Sequence, residues 1–348
     1  MSKYAVIIFE SLDSKLHENW NELVMEAHEG TFFHSFEWCR ILEQYGQASN
    51  SFKSYHVIAE DKCEHKLVGV MPLFLDRKGA ILSPPYGDYG GPCLSRLLSE
   101  SEKKILIKEM MLKVEQNFRR KVKRILLKSV SENYLGYFSN LGYETRPAYS
   151  TFLLSLVGKN TEGIWMGFRR DVRRGVKKAG RSGVISEEIS EKKFLEDYYE
   201  IYRATMGKLG ASVRSFYFFE VLWDVLYPKK NLYILLAKHK QKYIAGIISI
   251  SWKKVIHIFG NVSLFQSLKL HPNDLIYYET IKWAVKTGHK TVDFGLSPLK
   301  KESGLYQFKE RWGGTKKLLH TVTKTYQKSL FSRLKQFALR TLSGRNRS

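Results

Sequence analysis

Few features of this chain could hold it together covalently or carry it across a membrane. Its three cysteines, Cys39, Cys63 and Cys93, are far apart, and none stands at metal-ligand spacing from another cysteine or a histidine. That argues against a disulfide framework and against a zinc site. No apolar run approaches the roughly eighteen residues that a membrane-spanning helix requires. There is no Gly-x-Ser-x-Gly elbow and no placed Cys/His pair, so a covalent acyl-enzyme is not indicated. Acid is also scarce, with 34 Asp and Glu against 57 Lys and Arg, and past Thr323 it is missing altogether.

What is present describes a folded, strongly cationic protein. With 348 residues and 43% hydrophobic content, the chain can bury two cores, and two domains sharing an interface are expected. A formal charge of +23 favours phosphate-bearing partners or anionic lipid. The opening run Tyr4-Ala5-Val6-Ile7-Ile8-Phe9 has a strand's length and ends in Glu10, which reads as the first strand of a cytoplasmic protein.

An internal repeat organises the rest. Tyr55 to Glu60, Leu67 to Leu73 and Ala80 to Leu82 form three β-rich runs separated by polar turns. The series recurs as Tyr233 to Lys238, Ile244 to Ile250 and Val255 to Ile258, with Ala59 opposite Ala237 and Gly69 opposite Gly246. Each block reads as three antiparallel strands. A helix and a strand follow each: Ser99 to Phe118 then Arg124 to Leu127, and Pro272 to Gly288 then Lys290 to Gly295. The pattern predicts an α/β fold with mixed sheets, in two tandem halves of 1–160 and 161–322, and a tail of 323–348.

Between the halves, Phe168, Val172, Val176 and Ala179 fall on one helical stripe, with Arg169, Arg170, Arg173, Arg174, Lys177 and Lys178 on the other faces. This predicts one helix from Trp165 to Arg181 with a cationic exterior, able to engage phosphates or to stand as a solvated face. Helices are also expected over Phe194 to Leu209 and Phe216 to Leu226. In the tail, Leu330, Phe331, Leu334, Phe337 and Leu342 alternate with Lys and Arg at helical spacing. That fits a basic amphipathic helix on an anionic membrane, peripheral at its inner face, and equally a helix packed on the body.

Several segments together resemble the FemABX family and the wider FemAB-like or BioF2-like GNAT acyltransferases. They are His34-Ser35-Phe36-Glu37-Trp38, the loop Pro85 to Pro92, the basic helix, Ala245-Gly246, Pro272-Asn273-Asp274-Leu275, Asp293-Phe294-Gly295 and Gln307-Phe308-Lys309-Glu310-Arg311-Trp312-Gly313. The likeness implies two GNAT-like domains, an acceptor bound mainly by the first and a donor by the second. It further implies amide formation on a lipid-linked or nucleotide-linked cell-wall precursor, as in peptidoglycan biosynthesis, with aminoacyl-tRNA as donor and no bound cofactor. The glycine-rich pyrophosphate loop of acetyl-CoA-dependent relatives is absent, and so is a long helical arm for tRNA.

Direct aminolysis needs a neutral amine, alignment and a partner for the tetrahedral oxyanion. The resemblance places Lys309 at the reacting carbonyl, with Phe308 packed beneath it, and puts Phe36 and Trp38 on the substrate side. Asp293 ends a strand before Gly295, as a proton acceptor or as a turn-forming carboxylate. Asp88, between Tyr86 and Tyr89, offers a similar choice, with the tyrosines able to stack on or bond a sugar or peptide. Two other readings are an acyl-CoA-dependent N-acyltransferase and a nucleic-acid-binding protein without catalysis. No recognisable nucleic-acid motif supports the latter.

Overall fold

The computed structural model describes residues 3–326. Strand β1 (Tyr4–Phe9) leads through helices α1 (His17–Glu26) and α2 (Phe36–Ser49) to β2 (Phe52–Asp61), β3 (Lys66–Asp76), β4 (Ala80–Ser83) and the short β5 (Cys93–Leu94). Helix α3 (Glu100–Phe118), β6 (Arg124–Val130), α4 (Leu135–Asn140) and β7 (Glu144–Ser155) complete the first half. The second half begins with α5 (Thr161–Gly167), α6 (Arg170–Arg181), β8 (Ile185–Glu188), α7 (Leu195–Leu209) and α8 (Phe216–Leu226). It continues with β9 (Leu232–His239), β10 (Lys242–Trp252), β11 (Val255–Ser263), α9 (Pro272–Lys286), β12 (Thr291–Asp293), β13 (Ser297–Pro298), α10 (Gly304–Glu310) and β14 (Thr315–Thr325).

Both expected hairpins are present. Ala59 pairs with Gly69 in the first, and Gly246 with Leu236 in the second, each with a register shift near its turn. Local chemistry sets the helix ends. Ser99 and Glu102 form a capping box on α3, and Pro272 opens α9, where its missing N–H costs nothing. The helix expected from Trp165 to Arg181 is instead two, because Phe168 and Arg169 are extended between α5 and α6. Phe168 leaves the helical path after Gly167 to bury its ring edge-on against Trp312, 5.1 Å away.

All strands join one mixed sheet, ordered β1-β2-β3-β4-β6-β14-β7-β12-β11-β10-β9-β8, with β5 and β13 alongside. In each half a parallel pair closes the repeat, β4 with β6 and β11 with β12. The halves then exchange strands: β7, from the first, pairs with β12 of the second, while β14, the last strand, lies between β6 and β7. Strand β14 runs through Thr325 and so takes in the first three residues of the expected tail, Thr323 to Thr325. The amphipathic tail helix, past Tyr326, lies outside the described residues.

Helices cover both faces of the sheet. Val172, Val176 and Ala179 of α6 pack with Ile276, Ile281 and Ala284 of α9 and with the fully buried Trp312. On the opposite face, one apolar cluster joins Trp38 and Ile41 of α2 to Phe218 and Leu222 of α8, so the halves share a core. Burying each large side chain of this kind contributes about 1.5–3 kcal/mol. Lys229, after α8, also reaches the buried Glu37 carboxylate, which His17 and Asn21 hold as well. Among the described residues, no helix is long and apolar enough to cross a membrane.

Candidate active site

Strands β11 and β12 stay paired from Val255 and Thr291 as far as His257 and Asp293, then part. Strand β11 continues to Ser263 on β10 alone, and the other chain turns away at Gly295. This wedge receives a loop from the first half, Tyr86 to Tyr89, which follows β4. Tyr86 has φ +59, a conformation unusual for a bulky residue and common where a side chain is aimed at a site. Gly295 has φ +70, and a Cβ there would stand 2.7 Å from the Ile258 carbonyl oxygen and 3.0 Å from the Asp88 carboxylate. Glycine is what lets the Asp88 loop close on the wedge.

At the wedge mouth the imidazole of His257 bridges the halves. Its Nε2 is 3.0 Å from Asp88 Oδ2, and its Nδ1 is 3.2 Å from Asp293 Oδ2. Asp293 also accepts from the Tyr89 hydroxyl at 2.6 Å, the Thr151 hydroxyl at 2.5 Å and the Gly295 N–H at 2.9 Å. Asp88 accepts from the Leu296 N–H at 3.1 Å. From α10, Lys309 donates to the carbonyls of Gly295 at 3.1 Å and Leu296 at 2.8 Å, with only 6% of its surface exposed.

These contacts set the charges. Burial opposes the imidazolium of His257, but Asp293 and then Asp88 outweigh it and raise its pKa to about 9. Burial also opposes the Asp293 carboxylate, yet the His257 charge and the bonds from His257, Thr151 and Tyr89 hold it far below the usual range. Lys309 is pulled down to about 8 by burial, against the opposing pull of Asp88 and Asp293. A pKa near neutrality is unusual for lysine and is what proton handling at neutral pH requires.

A cavity of about 350 Å³ is lined by Tyr89, His257 and Asp293 themselves, and two more border the segments that carry the centre. One, of about 420 Å³, is lined by Tyr45, Tyr86, Tyr202, Arg214, Phe259 and Gly260 among others. Arg214 stacks over Tyr86 at 4.6 Å and Phe218 at 5.1 Å, and its guanidinium has no carboxylate partner among the described residues. The other, of about 630 Å³, lies at the N-termini of α6 and α9 and includes Arg169, Asp274, Gln307, Phe308 and Arg311. There the buried Asp274 carboxylate is held by Arg311 and by His271 at 2.8 Å. Among the described residues, no group of side chains is arranged to hold a metal ion.

The structure thus brings Lys309, Asp293, Asp88 and Tyr89 together, with Tyr86 lining the adjoining cavity. Phe308 packs away from Lys309, edge-on to Tyr277 at 4.9 Å and under Arg311. Arg169 lines the larger cavity, whereas Arg170 is exposed on the outside of α6 and Arg173 rests near Met166. Phe36 and Trp38 are core residues, Trp38 wedged among Phe32, Phe33, Phe218 and Phe259.

A family model described as an acetyltransferase (GNAT) domain matches residues 166–337. The chain is an acyltransferase whose second half matches the GNAT domain. Among solved structures, FemX superposes with a TM-score of 0.66 at 15% identity, over 91% of this chain and 96% of that one. A tandem GNAT protein from the clavulanic acid biosynthesis pathway gives 0.61 at 9% identity, covering 94% and 99%. The C-terminal domain of a putative lysylphosphatidylglycerol synthetase from Agrobacterium fabrum gives 0.59 at 9%, covering 89% and 92%. No curated protein matches the sequence. The acyltransferase therefore carries the tandem, FemX-like fold, with the Asp88–His257–Asp293 bridge at the junction of its halves.

Sequence reasoning missed His257, Arg214 and Lys128. His257 lies within the alternating strand Val255-Ile256-His257-Ile258, where one histidine reads as core. A titratable residue inside a repeated apolar hairpin was the available signal. Lys128, on β6 beyond its pairing with β4, is lowered by burial and raised by Asp88.

Proposed function

We propose that this acyltransferase moves an aminoacyl group from aminoacyl-tRNA to an amine on a lipid-linked or nucleotide-linked cell-wall precursor. The observation that carries the reading is Lys309, a buried lysine with a pKa near 8, fixed at the strand wedge on the Gly295 and Leu296 carbonyls and next in sequence to the Phe308 that lines the larger cavity. The neutral acceptor amine attacks the ester carbonyl, and a C–N bond forms as the carbonyl becomes an oxyanion. The Lys309 ammonium stabilises that charge. As the ester C–O bond breaks, Lys309 gives a proton to the departing ribose oxygen and recovers one from the new amide nitrogen. Asp293 and His257 hold Asp88 and the Gly295–Leu296 carbonyls that orient Lys309.

The larger cavity suits the donor. Arg169 offers a cation for phosphate and Phe308 offers a ring for a base. The buried Asp274 at the first turn of α9 disfavours a coenzyme A pyrophosphate at that helix end, where an anion would ordinarily be welcome. The cavity lined by Arg214 suits the acceptor, with Arg214 facing an anionic group of the precursor. A second reading, transfer from acyl-CoA, is favoured by the family model, whose members are named as acetyltransferases.

Radiolabelled aminoacyl-tRNA and acetyl-CoA, each incubated with the protein and with amine-bearing cell-wall precursors or lipids, decide between them. Label reaching acceptor from tRNA alone is expected. Transfer from acetyl-CoA alone would overturn the aminoacyl reading.

A further inference from the structure

Beyond these cavities, one surface combines apolar exposure with positive charge. Leu209, at the end of α7, is 69% exposed, and Phe265, after β11, is 65% exposed. The two segments are fastened together, since the Thr205 hydroxyl donates to the Ser263 carbonyl at 3.2 Å and the Lys208 ammonium lies 4.9 Å over the Phe265 ring. Val213, Tyr217 and Leu268 add further exposed apolar surface. Arg203, Lys208 and Lys269 are exposed among them. Residues 201–219 and 257–273 contain no acid; the nearest on α7, Asp197 and Glu200, line a cavity shared with Lys238, Lys242 and the Leu264 and Gln266 that flank Phe265.

A soluble protein seldom leaves large apolar side chains clustered in water without a use for them. Here the exposed Leu209 and Phe265 stand beside the exposed Lys208 and Lys269, a composition complementary to an anionic bilayer: apolar side chains enter the acyl boundary while ammonium groups meet the lipid phosphates. The position is also informative. Val213 lines the Arg214 cavity and Leu268 the larger one, so the patch borders both openings.

We propose that the surface formed by the end of α7, the 210–214 loop and the 265–270 turn docks on anionic membrane and holds the cavity mouths at the lipid surface. The inference rests on the reading that the acceptor is borne on lipid, but docking is measured without turnover. Docking brings enzyme and acceptor into one thin layer, raising their effective concentration.

The test is flotation of the full chain with vesicles of equal phosphatidylglycerol and phosphatidylcholine, and with phosphatidylcholine alone. The wild type should float with the anionic vesicles only, and Leu209→Ser/Phe265→Ser should bind them about tenfold or more weakly, since interfacial binding scales with buried apolar area. Lys208→Gln/Lys269→Gln should weaken binding and reduce its salt sensitivity. Ile105→Ser/Leu112→Ser, exposed apolar positions on α3, should float as wild type. Thermal melts and transfer to a soluble acceptor should be unchanged in all variants, so loss of transfer would count against the functional reading and not against docking. Equal flotation of wild type and Leu209→Ser/Phe265→Ser would overturn the proposal, as would no flotation at all. So would a dimer in sedimentation that the same double variant dissolves, because the patch would then belong to a second copy of the chain.

Discussion

Replacing Lys309 with methionine should separate catalysis from stability. The lysine's pKa falls from 10.5 to about 8 on folding, a difference of about 2.5 units, so keeping it charged in the folded state below pH 8 costs about 3 kcal/mol. Methionine keeps the stem and removes that cost, but it leaves the Gly295 and Leu296 carbonyls without their donor, at about 1–3 kcal/mol. The two nearly cancel, and the melting temperature should move by only a few degrees. Transfer should fall by about a hundred- to a thousandfold, the usual loss when one oxyanion partner is removed. Because the folded pKa lies below the unfolded one, wild-type stability gains a contribution as pH rises from 8 towards 10.5, and Lys309→Met should lose that gain. Single-turnover transfer from labelled aminoacyl-tRNA, run beside thermal melts from pH 7 to 10, tests all three statements. Near wild-type transfer would refute the assignment. Lost transfer with a collapsed melting temperature would instead make Lys309 a structural residue.

His257 should behave in the opposite sense: with a folded pKa raised to about 9, its contribution is full below its ordinary 6.5 and is lost as pH climbs through 9. His257→Gln should therefore lower stability at pH 6 and flatten the decline above pH 7 in thermal melts. Glu37, lowered to about 2 against burial by His17, Lys229 and Asn21, contributes above its ordinary 4.5 and loses that as pH falls towards 2. Glu37→Gln should destabilise by about 1–3 kcal/mol at pH 7 in urea unfolding, with little difference from wild type near pH 2. Arg169→Gln/Arg170→Gln/Arg173→Gln should weaken tRNA binding and reduce its dependence on salt, measured by filter binding; an unchanged salt slope would place α6 on an idle surface.

Where neighbours in sequence are neighbours in space, much of this was legible. The two hairpins, the helix from Ser99 and the helix opening at Pro272 follow from alternation, periodicity and turns. The break at Phe168 did not show, because a buried stripe looks continuous whether or not one ring swings out to meet Trp312. Lys309, Asp293 and Asp88 could be picked out singly, but what joins them is His257, and its partners are 169 and 36 residues away in the chain. Charge on a helix was also a coarse guide: of Arg169, Arg170, Arg173 and Arg174, only Arg169, which stands just before α6, lines one of the cavities described. Arg214 gave no signal, since a lone arginine in a loop reveals nothing until the rings beneath it are placed.

The exchange of β7 and β14 bears on how the molecule can be taken apart. A cut in the 156–160 connection would release a front piece that has surrendered no strand yet lacks the β14 that fills its gap, and a rear piece missing the β7 that β12 expects. Each fragment alone would present raw hydrogen-bonding edges and should precipitate. Mixed during refolding, they should zip together and regain a working enzyme, because each carries the piece the other needs. Such a protein can acquire a nick or an insertion at that connection far more readily than it can lose either half.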